Sequence, residues 1–326
     1  MKLSIVIPAA GEGQRLRPHT RFKPKVMLEV AGKPIIAHII ERIMPLEPEK
    51  VCVIIPPQDK TISSYLKLNY NLPLEFIVQD EPKGLGHAVL CAERVVKDGP
   101  VLILLGDTIV DLDFSALFKA GSVIGVKMVA DPRRFGVVVL QNGLIKKVVE
   151  KPSVPISNLA IVGVYYFPEA GPLYRALNRL VIENRLVGRE YLFTDALQIL
   201  IDEGMEIRTV DVEVWLDCGT PQALLETNRI LLDRQVNCRP IPGSVIVPPV
   251  FVADDAVIES SVIGPYVNIS SGAVVKESVI SDSLICQGAG VRRSVLWWSI
   301  IGERAEVEGV AEPVNVGPET KLVRGN

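Results

Sequence analysis

Short aliphatic runs alternate with amphipathic segments from Leu3 to about Asp233. The runs are continuous, as in VLILL at 101–105, and this is typical of strands that are covered on both faces. The alternation predicts an α/β fold in which helices cover the faces of a sheet. We expect strands at 3–8, 51–55, 74–78, 101–105, 123–129, 137–140, 145–149, 160–167 and 207–212. We expect helices at 34–44, 86–96, 172–183, 194–203 and 221–234.

The pattern changes beyond a stretch near 237–249 that contains four prolines. We therefore expect one domain at 1–236 and a second at 237–326. In the second, aliphatic residues recur every five or six positions, at Val252, Ile258, Ile263, Ile269, Val275, Ile280, Ile285, Val291, Leu296, Ile301 and Val307. Such a repeat predicts a parallel β-helix, in which each coil stacks its aliphatic residues on those of the next. A small antiparallel sandwich ranks second, because its turns should fall about every 8 to 12 residues.

Length and composition fit a globular chain with two domains. The 326 residues exceed the roughly 250 to 300 at which a single core usually stops growing. Hydrophobic residues make up 48% and charged residues 22%, which excludes an extended disordered chain. The 35 basic and 38 acidic side chains nearly balance, so we expect no nucleic-acid partner and no membrane partner.

Targeting signals and paired cysteines are not evident in the sequence. The five cysteines are scattered, without a C-x-x-C pair for zinc or redox chemistry. The apolar start is interrupted by Pro8 and fits a first strand better than a signal peptide. No apolar stretch approaches the roughly 18 residues of a membrane span. We therefore expect a reduced, cytoplasmic protein.

A glycine loop with basic neighbours follows the first expected strand. Gly11 and Gly13 let backbone N–H groups approach a ligand at a strand end, where open α/β sheets bind ligands. Residues 11–33 carry six basic and two acidic side chains, and the resulting net charge of +4 suits a triphosphate. A dinucleotide fingerprint is disfavoured because Leu16 takes the place of its third glycine, and the P-loop motif fails at Pro34. The alternative is a solvated basic face, against which the glycines and the strand end argue.

Charged residues stand at the ends of further expected strands. Asp107 ends the run VLILLGD, and Asp217 has a similar place in VWLDCGT. If these carboxylates converge, their oxygens could hold Mg²⁺ together with substrate phosphates and water. Capping of a turn is the alternative for each aspartate. Glu150 and Lys151 could bind a sugar hydroxyl and a phosphate, although a surface ion pair is the favoured interpretation when they are taken alone.

The chain resembles the sugar-1-phosphate nucleotidylyltransferases over nearly its whole length. The resemblance rests on GEGQRLRPHT at 11–20 with Pro24-Lys25, QDEPKGLGHA at 79–88, GD at 106–107, RFG at 134–136, EKP at 150–152, TD at 194–195, WLDCGT at 215–220 and the repeat tail. It implies a Rossmann-like nucleotidyltransferase domain with a mixed or parallel sheet, followed by a left-handed parallel β-helix. Residues 131–136 and 157–165 look most like glucose-1-phosphate thymidylyltransferases. Residues 84–92 are similar to UTP:glucose-1-phosphate uridylyltransferases, and the tail is similar to mannose-1-phosphate guanylyltransferases.

The resemblance also implies which residues form the site. The nucleotide-binding residues would be Ala10, Gly11, Gly13, Arg15, Lys25, Gln79, Pro82 and Gly84, with Gln79 and Gly84 facing the base. Gly136, Glu150, Lys151 and Tyr165 would bind the sugar phosphate, with Glu150 on the sugar and Lys151 on its phosphate. Asp107 and Asp217 would bind the Mg²⁺ cofactor, and Arg15, Lys25, Asp107 and Lys151 would carry catalysis. For His87 we expect a structural or supporting role.

The implied reaction joins an NTP and a sugar 1-phosphate into an NDP-sugar and releases pyrophosphate, with dTTP and glucose 1-phosphate as the first choice. UTP with glucose 1-phosphate and GTP with mannose 1-phosphate are the alternatives. We expect small-molecule substrates as partners and a homo-oligomer, with a structural or oligomer-forming role for the β-helix. A CoA-dependent acyltransferase activity of the tail is a rival, but such enzymes usually use a histidine base, and His19, His38 and His87 lie outside the tail. A non-catalytic regulatory subunit is a second rival, which the retained charged residues oppose.

Overall fold

The computed structural model describes residues 2–234 and 240–324, and its helices follow the predicted pattern closely. They are α1 (Ile35–Ile43), α2 (Thr61–Asn69), α3 (Gly84–Cys91), α4 (Phe114–Lys119), α5 (Ala170–Ile182), α6 (Phe193–Asp202) and α7 (Pro221–Leu232). All five predicted helices are present. The helices α2 and α4 were not predicted. In α2 the buried residues are Ile62 and Leu66 and most others are polar, and α4 has six residues, so neither shows a clear helical repeat of apolar positions. No helix of the described part is long and apolar enough to cross a membrane.

The strands up to residue 217 include all nine predicted ones, each within one residue of its expected bounds. They are β1 (Ser4–Pro8), β2 (Glu29–Val30), β3 (Lys33–Pro34), β4 (Lys50–Ile55), β5 (Leu74–Val78), β6 (Val101–Leu104), β7 (Thr108–Asp111), β8 (Ser122–Met128), β9 (Gly136–Gln141), β10 (Leu144–Glu150), β11 (Leu159–Phe167), β12 (Ile207–Asp211) and β13 (Val214–Asp217). The four unpredicted strands, β2, β3, β7 and β13, have two to four residues each, too few to show a period.

A mixed nine-stranded sheet forms the centre of the α/β region, as predicted. Its order is β10-β9-β11-β6-β1-β4-β5, and β8 pairs with both β11 and β12. The strands β1, β4, β5 and β6 are parallel, whereas β11 runs antiparallel to β6. All four residues of β6 are buried, and the core on one side of the sheet includes side chains of α3, α5 and α6. This double covering explains the continuous aliphatic runs.

The carboxyl ends of the parallel strands lie along one edge of the sheet. Backbone N–H groups of Ala9, Gln79 and Gly106, each just beyond a strand end, donate to carbonyls of neighbouring strands at 2.8, 3.0 and 3.1 Å. These hydrogen bonds hold the loops after β1, β5 and β6 side by side. In open α/β sheets this edge is where ligands bind.

The region after residue 240 is a left-handed parallel β-helix, as predicted. Its described strands are β14 (Val245–Ile246), β15 (Val250–Val252), β16 (Val257–Glu259), β17 (Val262–Ile263), β18 (Val267–Ile269), β19 (Val274–Lys276), β20 (Val279–Ser281), β21 (Leu284–Ile285), β22 (Gly290–Arg292), β23 (Val295–Trp297), β24 (Ile300–Ile301), β25 (Glu306–Glu308), β26 (Asn315–Val316) and β27 (Lys321–Val323). They form three sheets, β14-β17-β20-β23, β15-β18-β21-β24-β26 and β16-β19-β22-β25-β27. Every pairing within these sheets is parallel, which excludes the antiparallel sandwich.

The aliphatic repeat forms the interior of the coils. Val262 pairs with Val279 and Val279 with Val295, so that successive coils add 17 and then 16 residues. The repeat positions from Ile258 to Val307 are all at most 6% exposed. Since each coil has three sides, one inward residue falls on each side and the repeat is five or six residues long.

Buried serines connect successive coils. The Ser278 hydroxyl accepts the backbone N–H of Ser294 at 3.1 Å and donates to the carbonyl of Lys276 at 2.7 Å. The same two contacts recur at Ser261, Ser283, Ser294 and Ser299. Each hydroxyl thus pairs a buried backbone N–H at a corner of the coil.

The chain folds into two compact units, each assembled from separate stretches of sequence. The first comprises Met1–Gly11 and Ile39–Trp215, and the second comprises Glu12–His38 and Leu216–Asn326. In the second unit, the N–H of Gly32 donates to Oδ1 of Asn268 at 2.6 Å, so the segment after the glycine loop is attached to the β-helix. The predicted domain boundary between 236 and 237 lies outside the described residues.

Candidate active site

The predicted site residues divide between the two units. The first unit contains Ala10, Gly11, Gln79, Pro82, Gly84, Asp107, Gly136, Glu150, Lys151 and Tyr165, and the second contains Gly13, Arg15, Lys25 and Asp217. In the first unit, Ala10 and Gly11 follow β1, Gln79 follows β5 and Asp107 follows β6. The parallel strands therefore bring residues that are distant in sequence to one edge of the sheet.

The connection from β5 to α3 closes around the Gln79 side chain. This side chain is 5% exposed, its Nε2 donates to the carbonyl of Gly84 at 3.1 Å, and Nε2 lies 3.2 Å from Nδ1 of His87. Gly84 has a φ of 84°, and a Cβ at this position would lie 2.7 Å from Cβ of Glu190. Glycine is therefore required at 84, both for its backbone conformation and for the close packing. Pro82 is exposed on the loop between β5 and α3.

A second backbone segment supports the start of α3. The N–H of Gly86 donates to the carbonyl of Tyr191 at 2.9 Å, and the N–H of Tyr191 donates to the carbonyl of Lys83 at 2.8 Å. A Cβ on Gly86 would lie 2.7 Å from that Tyr191 carbonyl. This close approach of the two backbones explains why residue 86 is a glycine.

A small polar cluster is formed where β9 and β10 pair. Gly136 is opposite Glu150 in the ladder, and a Cβ on Gly136 would lie 3.1 Å from Oε2 of Glu150 and 3.2 Å from Cγ2 of Thr194. Lys151 Nζ lies 3.3 Å from Oε1 of Glu150, and 61% of the lysine side chain is exposed. The N–H of Lys151 donates to the carbonyl of Phe135 at 3.0 Å. The predicted trio of Gly136, Glu150 and Lys151 is thus brought together.

Two features distinguish this cluster: the backbone conformation of Lys151 and the hydroxyl of Tyr165. Lys151 has a φ of 42°, a left-handed conformation that costs a non-glycine residue about 1 kcal/mol and is often kept at functional positions. The hydroxyl of Tyr165 is buried, and its burial together with the charges of Glu150 and Asp107 raises its pKa. Tyr165 is therefore a protonated hydrogen-bond donor at neutral pH, and its ring packs edge-on against Phe193 at 4.8 Å between centroids.

Thr194 and Trp215 are candidate site residues that the predicted site set does not contain. Oγ1 of Thr194 and Nε1 of Trp215 are buried and have no hydrogen-bond partner among the described residues. Thr194 lies beside Gly136, and the Trp215 ring lies 4.8 Å from the ring of Phe135, between centroids. Unpaired buried polar atoms are costly, and a bound ligand would pair them. The TD and WLDCGT motifs contain these residues, but only the structure reveals their unpaired atoms.

The glycine loop of the second unit is packed tightly against Lys25. Gly13 has a φ of 61°, and a Cβ there would lie 2.9 Å from Cβ of Lys25 and 3.0 Å from Cγ2 of Thr20. The Thr20 hydroxyl donates to the Gly13 carbonyl at 2.8 Å. Gly13 therefore allows the loop to pass close to the lysine.

Arg15 and Asp217 both lie against Gly219 in the second unit. A Cβ on Gly219 would lie 2.8 Å from Oδ1 of Asp217 and 2.9 Å from Nη2 of Arg15. The N–H of Gly219 donates to that Oδ1 at 2.9 Å and orients the carboxylate. Two predicted site residues, about 200 positions apart in sequence, are thus brought to one place.

Part of the basic segment has a structural role instead. Lys23 forms an ion pair with Glu303 of the β-helix, and Nε2 of the buried His19 is hydrogen-bonded to Asn315. Burial lowers the pKa of His19, and the hydrogen bond opposes this effect. The net charge of +4 counted along residues 11–33 therefore overstates the positive charge that is available to a ligand.

Asp107 and Asp217 have the chemistry of magnesium ligands. Both are half-buried carboxylates at or just after strand ends. Mg²⁺ commonly takes one or two carboxylates and completes its shell with substrate phosphates and water. Among the described residues, no group of three or more His, Cys, Asp or Glu could hold a metal by itself. Each carboxylate, taken within its own unit, thus fits a Mg²⁺ ion whose remaining ligands are phosphate oxygens and water.

A nucleotidyl transferase family model matches residues 4–234. The chain therefore belongs to the nucleotidyl transferase family.

Its relatives have several names. The bifunctional protein GlmU of Methanocaldococcus jannaschii is 36% identical over 236 residues, which are 71% of this chain and 55% of that protein. The UTP–glucose-1-phosphate uridylyltransferase AglF of Haloferax volcanii is 34% identical over 68% of this chain and 93% of its own length. A glucose-1-phosphate thymidylyltransferase of Streptomyces antibioticus is 32% identical over 71% of this chain and 67% of its length. The chain thus spans little more than half of the GlmU relative and nearly all of AglF.

Solved structures share the fold. A UDP-glucose pyrophosphorylase complexed with UDP-glucose superposes with a TM-score of 0.62 at 24% identity, over 72% of this chain and all of that one. A candidate glucose-1-phosphate thymidylyltransferase from Bacillus anthracis, in complex with sucrose, gives a TM-score of 0.64 at 26% identity, over 73% of this chain and 98% of the other.

Proposed function

We propose that the chain is a sugar-1-phosphate nucleotidylyltransferase. The observation that carries this proposal is the cluster of Gly136, Glu150 and Lys151, with Tyr165 nearby. It offers a carboxylate for sugar hydroxyls and an exposed ammonium for a phosphate, and the glycine leaves the backbone beside the carboxylate uncovered by a side chain. Membership of the nucleotidyl transferase family supports the proposal, as do relatives named as uridylyltransferase and thymidylyltransferase.

The proposed reaction is an in-line displacement at phosphorus. An oxygen of the sugar 1-phosphate attacks the α-phosphorus of the NTP, the new P–O bond forms, and the bond to the bridging oxygen breaks as pyrophosphate leaves with its electron pair. No protein nucleophile is needed, because the phosphate monoester is already an anion at neutral pH. In this proposal Lys151 holds the sugar phosphate, whereas Arg15 and Lys25 hold the triphosphate and stabilise the leaving group. Asp107 and Asp217 would each offer a carboxylate oxygen to Mg²⁺, which when bound would supply further neutralisation of phosphate charge.

The sugar would be recognised by hydrogen bonds in the first unit. Glu150 accepts from sugar hydroxyls, and the protonated Tyr165 donates to one. The buried, unpaired Oγ1 of Thr194 and Nε1 of Trp215 are further candidate partners. Our first choice of substrates is dTTP with glucose 1-phosphate, and the names of the relatives keep UTP as an alternative nucleotide. GTP with mannose 1-phosphate remains the other alternative.

Pyrophosphate release tests the proposed function directly. The full chain would be assayed with dTTP, UTP, GTP, CTP and ATP, each against glucose 1-phosphate, mannose 1-phosphate and N-acetylglucosamine 1-phosphate, with and without Mg²⁺. We expect turnover with one preferred pair and none without the metal. Absence of turnover with every pair would support the non-catalytic regulatory subunit instead.

Two variants test the assigned roles. Asp107→Asn and Lys25→Ala should each lower kcat about 10²- to 10³-fold, because each removes a charge that acts on the transferring phosphates. Lys119→Ala, an exposed lysine on α4, is the control and should keep full activity. Thermal unfolding should be unchanged in all three. Near wild-type activity of both site variants would refute the assignment.

The β-helix would assemble the chain into a homo-oligomer through one outer face. The outward residues of β14, β20 and β23 include Val245, Val279, Val295 and Trp297, which are 57, 45, 45 and 39% exposed. The sheet that contains β16 and β19 carries ion pairs on its outer face, and the sheet that contains β18, β21 and β24 has buried outward residues. A continuous uncharged apolar row can pack against its own copy, so we propose a second chain as its partner.

A further inference from the structure

The orientation of the Gln79 amide is determined by two acceptors. The Gly84 carbonyl oxygen cannot donate, so Nε2, which lies 3.1 Å away, must be the amide atom that faces it. Nε2 carries a second hydrogen, and Nδ1 of His87 lies 3.2 Å from it. That ring nitrogen must therefore be unprotonated and accept the hydrogen bond.

The carbonyl of the Gln79 amide is left without a protein donor. Among the described residues no hydrogen-bond donor reaches Oε1, although the side chain is 5% exposed. We infer that His87 is a positioning residue that holds this carbonyl toward the nucleobase, and so selects bases whose ring nitrogen bears a hydrogen. This inference rests on the proposed function and on the expectation from the resemblance that Gln79 faces the base.

The selected class follows from hydrogen-bond chemistry. Uracil and thymine carry N3–H and guanine carries N1–H, and each of these donates to a carbonyl. Cytosine and adenine present a bare ring nitrogen at the equivalent position, which would face the carbonyl lone pairs. The amide therefore favours UTP, dTTP and GTP and disfavours CTP and ATP.

The charges around His87 determine how the selection responds to pH. Burial and the Lys83 ammonium lower the pKa of His87, whereas Glu81 and Asp80 oppose this effect. Lys83 itself forms an ion pair with Glu81 at 2.7 Å. The segment packed against Gly84 contributes Glu190 and Tyr191. A lowered pKa means that the accepting, neutral ring persists at neutral pH and is lost as the pH falls below the ordinary histidine value.

Protonation of His87 would remove its support for this orientation of the amide. A proton on Nδ1 would face the amide hydrogens of Gln79, whereas rotation of the amide by half a turn would place Oε1 against the Gly84 carbonyl. With His87 protonated, neither orientation pairs both neighbours, so the amide carbonyl is no longer held toward the base. Acidification should thus weaken the discrimination between uracil and cytosine.

The test is the ratio of kcat/KM for UTP to that for CTP, and for dTTP to dCTP, with one sugar 1-phosphate. The ratio cancels the titration of the phosphates, which the two nucleotides share. In the wild type we expect a constant ratio near neutral pH and above, and a fall on acidification from about pH 8 to about 5.5. His87→Ala should lower the neutral-pH ratio about tenfold and abolish its pH dependence.

Two further variants separate positioning from a merely structural effect. His87→Asn places an amide oxygen near the position of Nδ1, and should restore most of the ratio without any pH dependence. Leu85→Ala, a partly buried residue of the same helix, should lower stability without changing the ratio. If His87→Ala does not fold, the pH dependence of the wild-type ratio and the ratio measured for His87→Asn still test the inference.

The outcomes distinguish this inference from the proposed function. Absence of pyrophosphate release from every NTP would defeat the proposed function. Turnover with an unchanged ratio in His87→Ala, a pH-independent ratio in the wild type, or an asparagine variant with a lowered ratio like that of alanine would overturn the inference alone.

Discussion

The nine-stranded sheet and the β-helix use the same aliphatic strands in opposite ways. In the sheet, whole strands such as β6 are buried, and the polar residues collect in the loops beyond the strand ends. In the β-helix each short strand contributes one inward residue, and the same contacts repeat from coil to coil. The sheet therefore presents a single edge with unlike side chains, which suits a site, whereas the β-helix presents long uniform faces, which suit assembly.

Left-handed backbone conformations show the same contrast. In the β-helix they mark the corners and recur once per coil at equivalent places, as at Ser260, Glu277 and Arg293. In the first unit, Lys151 is a left-handed residue directly after a strand and beside a carboxylate. The repeated left-handed residues form the corners of the coils, whereas the one at Lys151 places a charged side chain beside Glu150.

The largest expected effect is a loss of activity when a site residue of the sheet region is changed. Lys151→Ala should lower kcat/KM for the sugar phosphate about 10²- to 10³-fold, because it removes the cation next to the attacking phosphate. The thermal unfolding midpoint should not change, since the side chain is 61% exposed. Lys147→Ala, at an exposed lysine of β10, the strand that precedes Lys151, is the matched control. Equal activities of the two variants would contradict the role proposed for Lys151.

A substitution inside the β-helix should lower stability and leave turnover unchanged. Ile280 is 0% exposed, and Ile280→Ala should lower the free energy of unfolding by about 2 to 5 kcal/mol through lost burial and the cavity left behind. The folded variant should keep its turnover. Val257→Ala, at a 43% exposed valine next to the inward Ile258, should change stability by less than about 0.5 kcal/mol. Denaturant unfolding measures both, and similar losses would contradict the inward assignment of the repeat.

The smallest effect on fold and catalysis is expected at the outer face. Val279→Glu should leave unfolding and turnover unchanged but reduce the sedimenting mass of the full chain to that of a monomer, because a buried unpaired charge opposes association. Val257→Glu introduces the same charge at a 43% exposed valine on the ion-paired face and should not change the mass. A monomeric wild type, or equal behaviour of the two variants, would refute the proposed interface.

Much of the fold could be predicted because its signals are local. The continuous apolar runs of the sheet and the aliphatic repeat of the tail each depend on residues a few positions apart, and the two architectures that they predict are confirmed. The polar helix α2 could not be predicted from its pattern, because its two buried residues, Ile62 and Leu66, are too few to show a helical repeat. The short strands β7 and β13 have too few residues for a pattern.

The candidate site was harder to predict because its contacts are distant in sequence. Lys23 has the composition of a phosphate ligand, but it pairs with Glu303, which lies 280 positions away. The role inferred for His87 depends on the hydrogen bond to Gln79 rather than on its place in a motif. Thr194 and Trp215 became candidates only through their unpaired buried atoms.

The sequence by itself determined the architecture and the chemical class of the residues at the strand ends, because periodicity and motifs are properties of neighbouring positions. Only the tertiary structure decided which charges are available to a ligand, which polar atoms lack a partner, and that Glu12–His38 belongs to the same unit as the β-helix. These properties depend on distances between remote residues, and the folded chain alone sets those distances.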